Sequence, residues 1–223
     1  MMNDLEIITT SDGSHTLRNK QLNETYHSTH GAVQESLHVF IKNGLEYYWQ
    51  KQQVKDISIL EVGFGTGLNA LLTLQYAAQN NLRLRYTSLE PFPLPPDVWS
   101  KLNYRERDQH HFTALHEAGW GKEISLTPEF TILKLKASLQ EVHLNDIYDV
   151  VYFDAFAPSI QPELWAYEIL EKVTTPLKEE GVFVTYSARG QLKRDLKALG
   201  LNVETLPGPP GKNEMVRGSA PLG

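Results

Sequence analysis

The sequence predicts an α/β fold with a mostly parallel sheet of seven strands, helices on both faces and an antiparallel last strand. Short apolar runs rich in β-branched residues alternate with helical patterns across residues 57–199. A glycine-rich turn between Gly63 and Gly67 joins the first apolar run directly to a helical pattern. Only a Pro/Gly loop separates the last two runs, at 202–206 and 214–219, and this spacing predicts a hairpin that reverses the last strand.

The chain shows no internal repeat and no interdomain linker, so we expect a single structural unit. Residues 1–52 are predicted to form an N-terminal extension, with a β-ribbon turning at Asp12-Gly13 and a covering helix from Gln34 to about Gln52. Residues 53–223 are predicted to form the α/β domain. Its strands are expected at 57–62, 84–90, 130–136, 148–154, 181–187, 202–206 and 214–219. Its helices are expected at 67–79, 97–103, 138–144, 162–177 and 189–199, with short helices in an insertion at 104–129 and Gly200 as the last C-cap.

Composition excludes several classes of protein. The chain of 223 residues has no cysteine, which excludes disulfides and thiolate metal sites. It has no apolar run of 18 residues, so we expect no membrane span. The N-terminus is polar and acidic, unlike a signal peptide, which predicts a cytoplasmic protein. The histidine pairs lack the carboxylate spacing that completes a metal site, so no metal is expected; these pairs are His27 with His30 and His110 with His111.

The charge is unevenly distributed along the chain. A net charge of −6 argues against broad nucleic-acid binding. From Gly181 onward, however, six basic residues outnumber three acidic ones, which gives this part a local charge of +3. A basic C-terminal third can hold a phosphate backbone locally, although a solvated helix face explains part of it equally well. The six basic residues are Arg189, Lys193, Arg194, Lys197, Lys212 and Arg217.

The glycine-rich turn carries the first chemical motif. It reads G-x-G-x-G, with Glu61 two residues before the first glycine and a helical pattern directly after the last. A glycine turn that leads into a helix N-terminus offers backbone N–H groups to a polar ligand. The pattern resembles motif I of S-adenosylmethionine (SAM) methyltransferases, in which an acid suits a cationic methionyl ammonium better than a pyrophosphate. The residues expected at the cofactor are Glu61, Gly63, Phe64, Gly65, Gly67, Leu68 and Asn69.

The next predicted strand ends in a second acid, Glu90, 23 residues after Gly67. An acid at about this distance accepts hydrogen bonds from ribose hydroxyls in nucleotide-binding α/β folds. We therefore expect Glu90 and the following Pro91 at the cofactor. Nicotinamide dinucleotides and SAM both carry such a ribose, so Glu90 supports the site without choosing the ligand. The predicted element order is similar to the seven-stranded, Rossmann-like sheet of class I SAM-dependent methyltransferases.

A second motif, Asp154-Ala-Phe-Ala-Pro158, ends the fourth predicted strand. Ligands of open α/β sheets bind beyond these strand ends, so the motif is expected to face the glycine turn. It resembles the acidic Asp-Pro-Pro-aromatic loop of amino-group methyltransferases. A carboxylate here can hold an amine and stabilise the cation that forms, and Phe156 can stack on a planar base. In the structural alternative, Asp154 caps the helix at 162–177 and Phe156 lies in the core.

Longer runs resemble one methyltransferase family. Residues Asp154 to Trp165 are similar to the signature D-[GA]-F-A-P-x-x-x-P-[DE]-[ML]-W in the methyltransferase part of the tRNA 5-methylaminomethyl-2-thiouridine biosynthesis proteins, MnmC. The resemblance extends from about Tyr26 to Arg217. Further similar runs are Glu61–Asn69, Ser88–Leu94, Tyr186–Gly190, Gly208–Met215 and, more weakly, Glu35–Phe40.

This resemblance implies SAM-dependent N-methylation of 5-aminomethyl-(2-thio)uridine at the tRNA wobble position. By matching position, it implies that Asp154 binds the substrate amine, that Glu90 binds the ribose of SAM and that the motif I residues bind the rest. The residues expected on the substrate side are Phe156, Pro158, Tyr186, Arg189 and Lys212. Bifunctional family members also carry an FAD domain that removes a carboxymethyl group. We expect only methyl transfer from these 223 residues, with any oxidase supplied by a separate protein.

One departure from the family and three alternatives stay open. Lys136-Ala137 stands where the family tends to place Gly-Asp near the adenine, so that contact is unassigned. A nicotinamide-dependent oxidoreductase is disfavoured by Glu61 and by the missing fourth glycine position. A methyltransferase or aminopropyltransferase acting on a small amine would use the same acidic loop. A non-catalytic RNA-binding module is disfavoured by the intact set of Glu61, Glu90 and Asp154.

Overall fold

The computed structural model describes residues 4–145 and 147–223, so the first three residues of the predicted extension lie outside it. In chain order the strands are β1 (Leu5–Thr9), β2 (His15–Asn19), β3 (Glu24–Thr25), β4 (Asp56–Val62), β5 (Arg83–Leu89), β6 (Glu123–Thr127), β7 (Phe130–Leu135), β8 (Tyr148–Phe153), β9 (Leu177–Thr185), β10 (Asn202–Pro207) and β11 (Glu214–Ser219).

The helices cover both faces of the main sheet. The first, α1, spans residues 32–52 and is π-helical in its middle, over Leu37–Glu46. The others are α2 (Leu68–Asn80), α3 (Pro96–Trp99), α4 (Gln109–Glu117), α5 (Tyr167–Thr174) and α6 (Gly190–Ala198), with 3₁₀ turns at Asn103–Glu106 and Pro162–Trp165. None of the helices in the described ranges is long and apolar enough to cross a membrane.

The main sheet has eight strands in the order β10-β11-β9-β8-β4-β5-β7-β6. Strands β9, β8, β4, β5 and β7 run parallel, as the alternation of strands and helices predicts. The last strand, β11, lies between β9 and β10 and is antiparallel to both, which confirms the predicted reversal. All six residues of the central strand β8 are buried, as expected for a parallel strand covered on both faces.

All seven predicted strands are present, but three details of the prediction are wrong. Residues 104–129 contain the edge strand β6, antiparallel to β7, because its alternating Glu-Ile-Ser-Leu-Thr pattern is half exposed and looks polar in sequence. Residues 138–144 form turns and irregular chain instead of a helix. The helix expected at 162–177 is divided at Ala166, whose extended backbone separates the 3₁₀ turn from α5, and residues from Leu177 already belong to β9.

The predicted N-terminal ribbon is confirmed as a separate three-stranded antiparallel sheet of β1, β2 and β3. It turns at Asp12-Gly13, where Gly13 has a φ of +82°. The Asp12 carboxylate accepts hydrogen bonds from the Thr10 hydroxyl, from Ser14 N and from Gln34 N at the start of α1. One acidic side chain therefore closes the turn of the ribbon and ties the ribbon to the covering helix.

Two apolar layers enclose the main sheet, and the period of two in β4 distributes its side chains between them. Ile57 and Ile59 pack into the layer that contains α1 and α2. Leu60 and Val62 pack into the opposite layer, with α5 and α6. By the same alternation Glu61 points into the α1 and α2 side, which places a carboxylate inside an apolar layer just before the glycine turn.

Candidate functional site

The site begins where β4 ends in the glycine turn. Gly63 N and Phe64 N donate hydrogen bonds to Leu89 O at the end of β5, over 2.9 and 3.2 Å. Gly63 has a φ of +94°, and a Cβ built there would lie 2.7 Å from the backbone oxygen of Asp154. Only glycine permits this close approach, because any side chain would push the Asp154 loop away from the turn. The two sequence motifs are therefore adjacent, as predicted.

Glu61 lies beneath the turn and is 0% exposed. Ser88 Oγ donates to one carboxylate oxygen at 2.5 Å, while the other, Oε1, has no hydrogen-bond partner among the described residues. Burial raises the pKa of Glu61 to about 8, and the nearby charge of Asp154 acts in the same direction. Because Glu61 is fully enclosed, the geometry favours an action on a ligand through its neighbours. The predicted direct contact with an ammonium group stays a prediction.

Asn69, in the first turn of α2, links the turn to the second motif. Its Nδ2 donates to Asp154 Oδ2 at 2.8 Å, while its own Oδ1 is buried without a partner in the described part of the chain. Asp154 N in turn donates to Val62 O at 3.0 Å. Burial raises the pKa of Asp154 to about 7, and the charge of Glu35 adds to the increase. Asp154 thus combines a fixed position with a pKa near neutrality.

The loop that follows Asp154 is held by side chains from two other elements. Tyr186 OH, after β9, donates to Ala155 O at 2.8 Å, and Trp165 Nε1 donates to Phe156 O at the same distance. The Phe156 ring meets the ring of Tyr26 edge-on, with centroids 5.1 Å apart. Gln161, not Asp154, stands at the N-cap of the following 3₁₀ turn. The structural alternative for Asp154 and Phe156 is therefore not realised, and Pro158 lies partly exposed in the same loop.

Glu90 lies on the opposite side of the turn from Asp154. Gly65 N donates to Glu90 Oε2 at 3.0 Å and Phe92 N donates to Glu90 Oε1 at 2.8 Å. Burial raises the pKa of this carboxyl group, and the two backbone donors oppose the increase. Each oxygen keeps a further lone pair, so Glu90 can still accept hydrogen bonds from a ribose. Pro91 lies beside it, partly exposed.

An aromatic cluster that the sequence analysis did not foresee supports the turn. Phe64 packs edge-on against His116 and Trp120, and His116 stacks on Trp99 with a centroid separation of 4.6 Å. His116 Nε2 lies 3.1 Å from Thr66 O, and burial lowers the pKa of His116 to about 3. A neutral imidazole can donate this hydrogen bond and so fix the backbone of the turn. Leu68, which starts α2, is buried in the same layer.

A buried lysine completes this supporting cluster. Lys134 Nζ donates to Leu115 O and His116 O, and so caps the C-terminal end of α4. Burial lowers the pKa of Lys134 to about 8. The charged end also lies over the rings of Phe64 and Trp120, 5.0 and 4.7 Å from their centroids. Sequence alone gives no signal for this role, since the residue looks like any lysine near the end of a strand.

An ion pair between Glu35 and Lys212 lies beside the Asp154 loop. Glu35 in α1 is buried and accepts a hydrogen bond from Ser28 N at 2.5 Å. Its other oxygen forms an ion pair with Lys212, whose Nζ lies 3.8 Å from the centroid of the Tyr186 ring. Arg189 is exposed at the start of α6. The structure therefore gathers Tyr186 and Lys212 near Asp154 and leaves Arg189 at the surface.

The residues around the turn fit SAM, which carries a sulfonium and an ammonium group. Glu61, Glu90 and Asp154 lie around the turn and burial raises the pKa of all three, so a bound cation would favour their charged forms and offset that burial. Asn69 Oδ1 is a buried acceptor without a partner among the described residues, whereas the enclosed Glu61 Oε1 lies near the Tyr86 hydroxyl. Gly65, at a φ of +49°, lies against the Tyr26 ring, which is 3.2 Å from a Cβ built there. Lys136 is exposed and Ala137 partly buried beyond β7, so the adenine contact stays unassigned. The described residues include no group of three side chains able to hold a metal.

Comparisons with known proteins show which sequences and folds the chain resembles. The sequence profile of a family described as S-adenosyl-L-methionine-dependent methyltransferase matches residues 114–221. The chain is 30% identical over 208 residues to the tRNA 5-methylaminomethyl-2-thiouridine biosynthesis bifunctional protein MnmC of Methylobacillus flagellatus, covering 87% of this chain and 32% of that protein. For MnmC of Pseudoalteromonas atlantica the identity is 30% over 217 residues, covering 87% of this chain and 31% of that protein. The chain thus spans about a third of the length of these curated relatives.

A solved structure extends the likeness to the whole fold. The crystal structure of MnmC2 from Aquifex aeolicus superposes with a TM-score of 0.81 at 29% identity, covering 98% of this chain and 72% of that chain. The overlap takes in the N-terminal ribbon as well as the main sheet, because it leaves out only 2% of the chain. The chain is a SAM-dependent methyltransferase, with SAM as its cofactor, and its sequence and fold are similar to the methyltransferase part of the MnmC proteins.

Proposed function

We propose that the chain methylates the primary amine of 5-aminomethyl-(2-thio)uridine at the wobble position of tRNA, giving 5-methylaminomethyl-(2-thio)uridine. One observation carries the proposal: Asn69 from the cofactor motif donates to Asp154 Oδ2, which fixes a carboxylate beside the glycine turn. The MnmC proteins, which the chain resembles, are named for the biosynthesis of this nucleoside. The proposed site residues are those of the glycine turn, Glu90, Asp154 and the loop that follows it.

The chemistry requires a group that handles a cationic amine. When bound, SAM supplies an electrophilic methyl group on a sulfonium sulfur. Asp154 can bind the substrate ammonium and accept its proton, because a carboxyl group with a pKa of about 7 exchanges protons readily at neutral pH. The freed lone pair then forms the new N–C bond while the C–S bond breaks, and its electrons pass to sulfur. Asn69 holds the carboxylate in line during this transfer.

The N-terminal extension belongs to the proposed active site. We propose that residues 1–52 form an extension of the domain at 53–223. Both parts border the Asp154 loop. Tyr26 lies against Phe156 and close to Gly65, 3.2 Å from a Cβ built there. Two aromatic rings near the glycine turn can exclude water and pack on a planar uracil. We therefore assign Tyr26 and Phe156 to the pocket for the substrate base.

The proposal is tested with labelled SAM and bulk tRNA from cells that lack this protein. We expect the label in 5-methylaminomethyl-(2-thio)uridine after digestion to nucleosides, and none with tRNA from cells that contain the protein. The Asp154→Asn variant is the matched control for the chemical step. Label in free polyamines or other small amines, with none in tRNA, would contradict the proposed substrate and favour the small-amine alternative.

A further inference from the structure

Lys212 lies on the Pro/Gly loop between β10 and β11, where an exposed RNA-binding lysine would be expected. Its side chain is instead only 31% exposed, and the Glu35 carboxylate that it pairs with is 6% exposed. Nζ also lies on the face of the Tyr186 ring, 3.8 Å from the centroid. A phosphate contact would require this ammonium group to leave a buried carboxylate, and an unpaired buried charge is strongly destabilising.

The loop itself is fastened to the N-terminal extension. His38 Nε2 in α1 lies 2.8 Å from Pro207 O at the start of the loop. Gly211 packs against His30 so closely that a Cβ built there would lie 2.0 Å from the ring. These contacts fix the loop against residues 28–38, so Lys212 is oriented toward the interior by its backbone as well as by its ion pair.

Lys212 belongs to a ring of side-chain contacts that surrounds the Asp154 loop, called the circuit below. Tyr186, under the ammonium group, donates its OH to Ala155 O next to Asp154. On the other side, Glu35 holds Ser28 N, two residues after Tyr26. Tyr26 closes the circuit by packing on Phe156 in the same loop. These contacts connect four separate parts of the chain: residues 26–35, the Asp154 loop, Tyr186 and Lys212.

We propose that Glu35 and Lys212 are positioning residues for methyl transfer, acting through Tyr186 on the loop that carries Asp154. This inference rests on the proposed function, since it assigns Asp154 the substrate amine. In this proposal Lys212 positions the active-site loop and does not contact tRNA, as the sequence had suggested it would. The ammonium group keeps the Tyr186 ring in place through a cation–π contact, and the Tyr186 hydroxyl keeps Ala155 and hence Asp154 in register.

The first test is Lys212→Ala, with single-turnover methylation and tRNA affinity measured separately. We expect the single-turnover rate to fall at least tenfold, while tRNA affinity stays within twofold and its salt dependence is unchanged. Lys55→Ala is the matched control, because it removes the same charge from an exposed position just before β4, at the opposite edge of the sheet from the glycine turn, and should leave both quantities unchanged. An unchanged rate, with weaker tRNA binding and a salt slope lower by about one unit, would make Lys212 a phosphate contact and overturn the proposal.

Chemical rescue distinguishes positioning from a general loss of structure. Propylammonium or butylammonium fits the space that Lys212→Ala leaves and restores a cation between Glu35 and Tyr186, so we expect it to recover much of the rate. Propanol, which lacks the charge, should not, and wild type should not be accelerated by either compound. Loss of rate in Lys212→Ala without rescue by any alkylammonium would overturn the proposal.

A second measurement separates this proposal from the proposed function. Urea unfolding of Glu35→Gln, Lys212→Met and the double variant tests the pair without any substrate. We expect the double variant to lose less stability than the sum of the two single variants, and no more than Lys212→Met, because Lys212→Met alone leaves the buried Glu35 carboxylate charged and unpaired. Additive shifts would overturn the pair. If wild type fails to methylate tRNA while the shifts are non-additive, the proposed function is wrong and the pair still holds.

Discussion

Asp154 and Glu90 follow the two strands that flank the central strand β4, β8 on one side and β5 on the other. Both are carboxylates beside the glycine turn, but they are held differently. Both oxygens of Glu90 accept backbone N–H groups, from Gly65 and Phe92. Within the described residues Asp154 is held at Oδ2 alone, by the side chain of Asn69. Burial brings the pKa of Asp154 to about 7.

The difference separates two uses of one functional group. Burial raises the pKa of Glu90, its two backbone donors oppose that increase, and the same two bonds shape the turn. Asp154 has fewer donors, and its pKa of about 7 suits a group that must take up a proton and release it. We therefore propose that Glu90 binds the cofactor and that Asp154 takes part in the chemical step. Substitutions of each carboxylate test this division.

The largest expected effect is that of Asp154→Asn. The substitution keeps the shape and an acceptor for Asn69 but removes the charge, so we expect SAM affinity to stay nearly intact. Turnover should fall by roughly 10²-fold or more, because no group remains to hold the ammonium and take its proton. Single-turnover assays on hypomodified tRNA measure the rate, and calorimetry measures SAM binding.

The pH profile of the same variant sharpens the assignment. Below pH 7 Asp154 is increasingly protonated in wild type, so kcat/KM should rise through about pH 7 as the carboxylate forms. Asp154→Asn should lack this inflection. At high pH the substrate amine is already neutral, so the deficit of the variant should shrink towards pH 9.5. Wild-type-like turnover of Asp154→Asn across pH 7 to 9.5 would show that the catalytic carboxylate lies elsewhere.

The next largest effect is expected for Glu90→Ala, on SAM affinity. The change removes the predicted ribose acceptor and frees Gly65 N and Phe92 N, so we expect a loss of about 2 kcal/mol, roughly 30-fold in Kd. Glu90→Gln is the control, because it retains one acceptor oxygen and should lose less. Calorimetry gives both values, and equal affinity of wild type and Glu90→Ala would remove Glu90 from the cofactor site.

The raised pKa values of the buried carboxyl groups Glu61 and Asp154 make the stability of the fold depend on pH. The folded-state pKa values of Glu61 and Asp154 lie above those of the unfolded chain, so the folded protein binds more protons between about pH 4 and pH 8. The contribution of these two groups to stability therefore falls as pH rises through their folded pKa values, whereas the lowered pKa of His116 acts in the opposite direction below about pH 6.5. Without ligand, we expect unfolding at pH 8 to require less urea than at pH 6.

Glu61→Gln should flatten this dependence. A neutral amide keeps an acceptor for Ser88 and carries no charge into the apolar layer, so we expect about 1–2 kcal/mol more stability at pH 8 and little change at pH 6. Glu129→Gln, at an exposed turn, is the matched control and should behave like wild type. A Glu61→Gln variant with an undiminished pH slope would show that the buried acid is not the titrating group.

How much of this could be predicted depended on whether the signal was local. The glycine turn, the strand ends at Glu90 and Asp154 and the Asp12-Gly13 ribbon follow from adjacent residues, because turn geometry and strand periodicity are local properties. The strand β6 was missed because a half-exposed edge strand has a mixed composition. The helix at 138–144 was predicted wrongly although Ser138 and Glu141 have the spacing of a capping box, because the Ser138 hydroxyl donates to the Glu141 carboxylate in an irregular turn instead of capping a helix.

Partners distant in sequence gave no such signal. Lys212 looked like a surface cation because its sequence neighbours are proline and glycine, and its partner Glu35 lies 177 residues away. His116 and Lys134 belong to the supporting cluster only because α4 and β7 meet beneath the turn. Glu35 did lie in the weakest of the runs that resembled the family. A charged residue inside an amphipathic helix was thus the one available hint that α1 reaches the site.

The smallest expected effect concerns the direction from which RNA approaches. The basic residues of α6 follow β9, on the Asp154 side of the sheet, whereas Lys136 follows β7 on the Glu90 side. If the proposed tRNA footprint lies on the Asp154 side, replacing Arg189, Lys193 and Arg194 with alanine should lower the salt slope of tRNA binding by about two units. Each phosphate contact adds a little under one unit, and Lys193 is partly engaged with Glu214.

Lys136→Ala is the matched control for this experiment, since it removes an exposed cation at the same ends of the parallel strands but on the Glu90 side of the sheet. It should leave the slope unchanged, and neither variant should alter the single-turnover rate at saturating tRNA. Fluorescence titrations of tRNA at several salt concentrations measure the slopes. A larger change in slope for Lys136→Ala than for the triple variant would place the RNA over Glu90 instead. The uridine would then have to reach Asp154 across the glycine turn, and the division between the two carboxylates would fail.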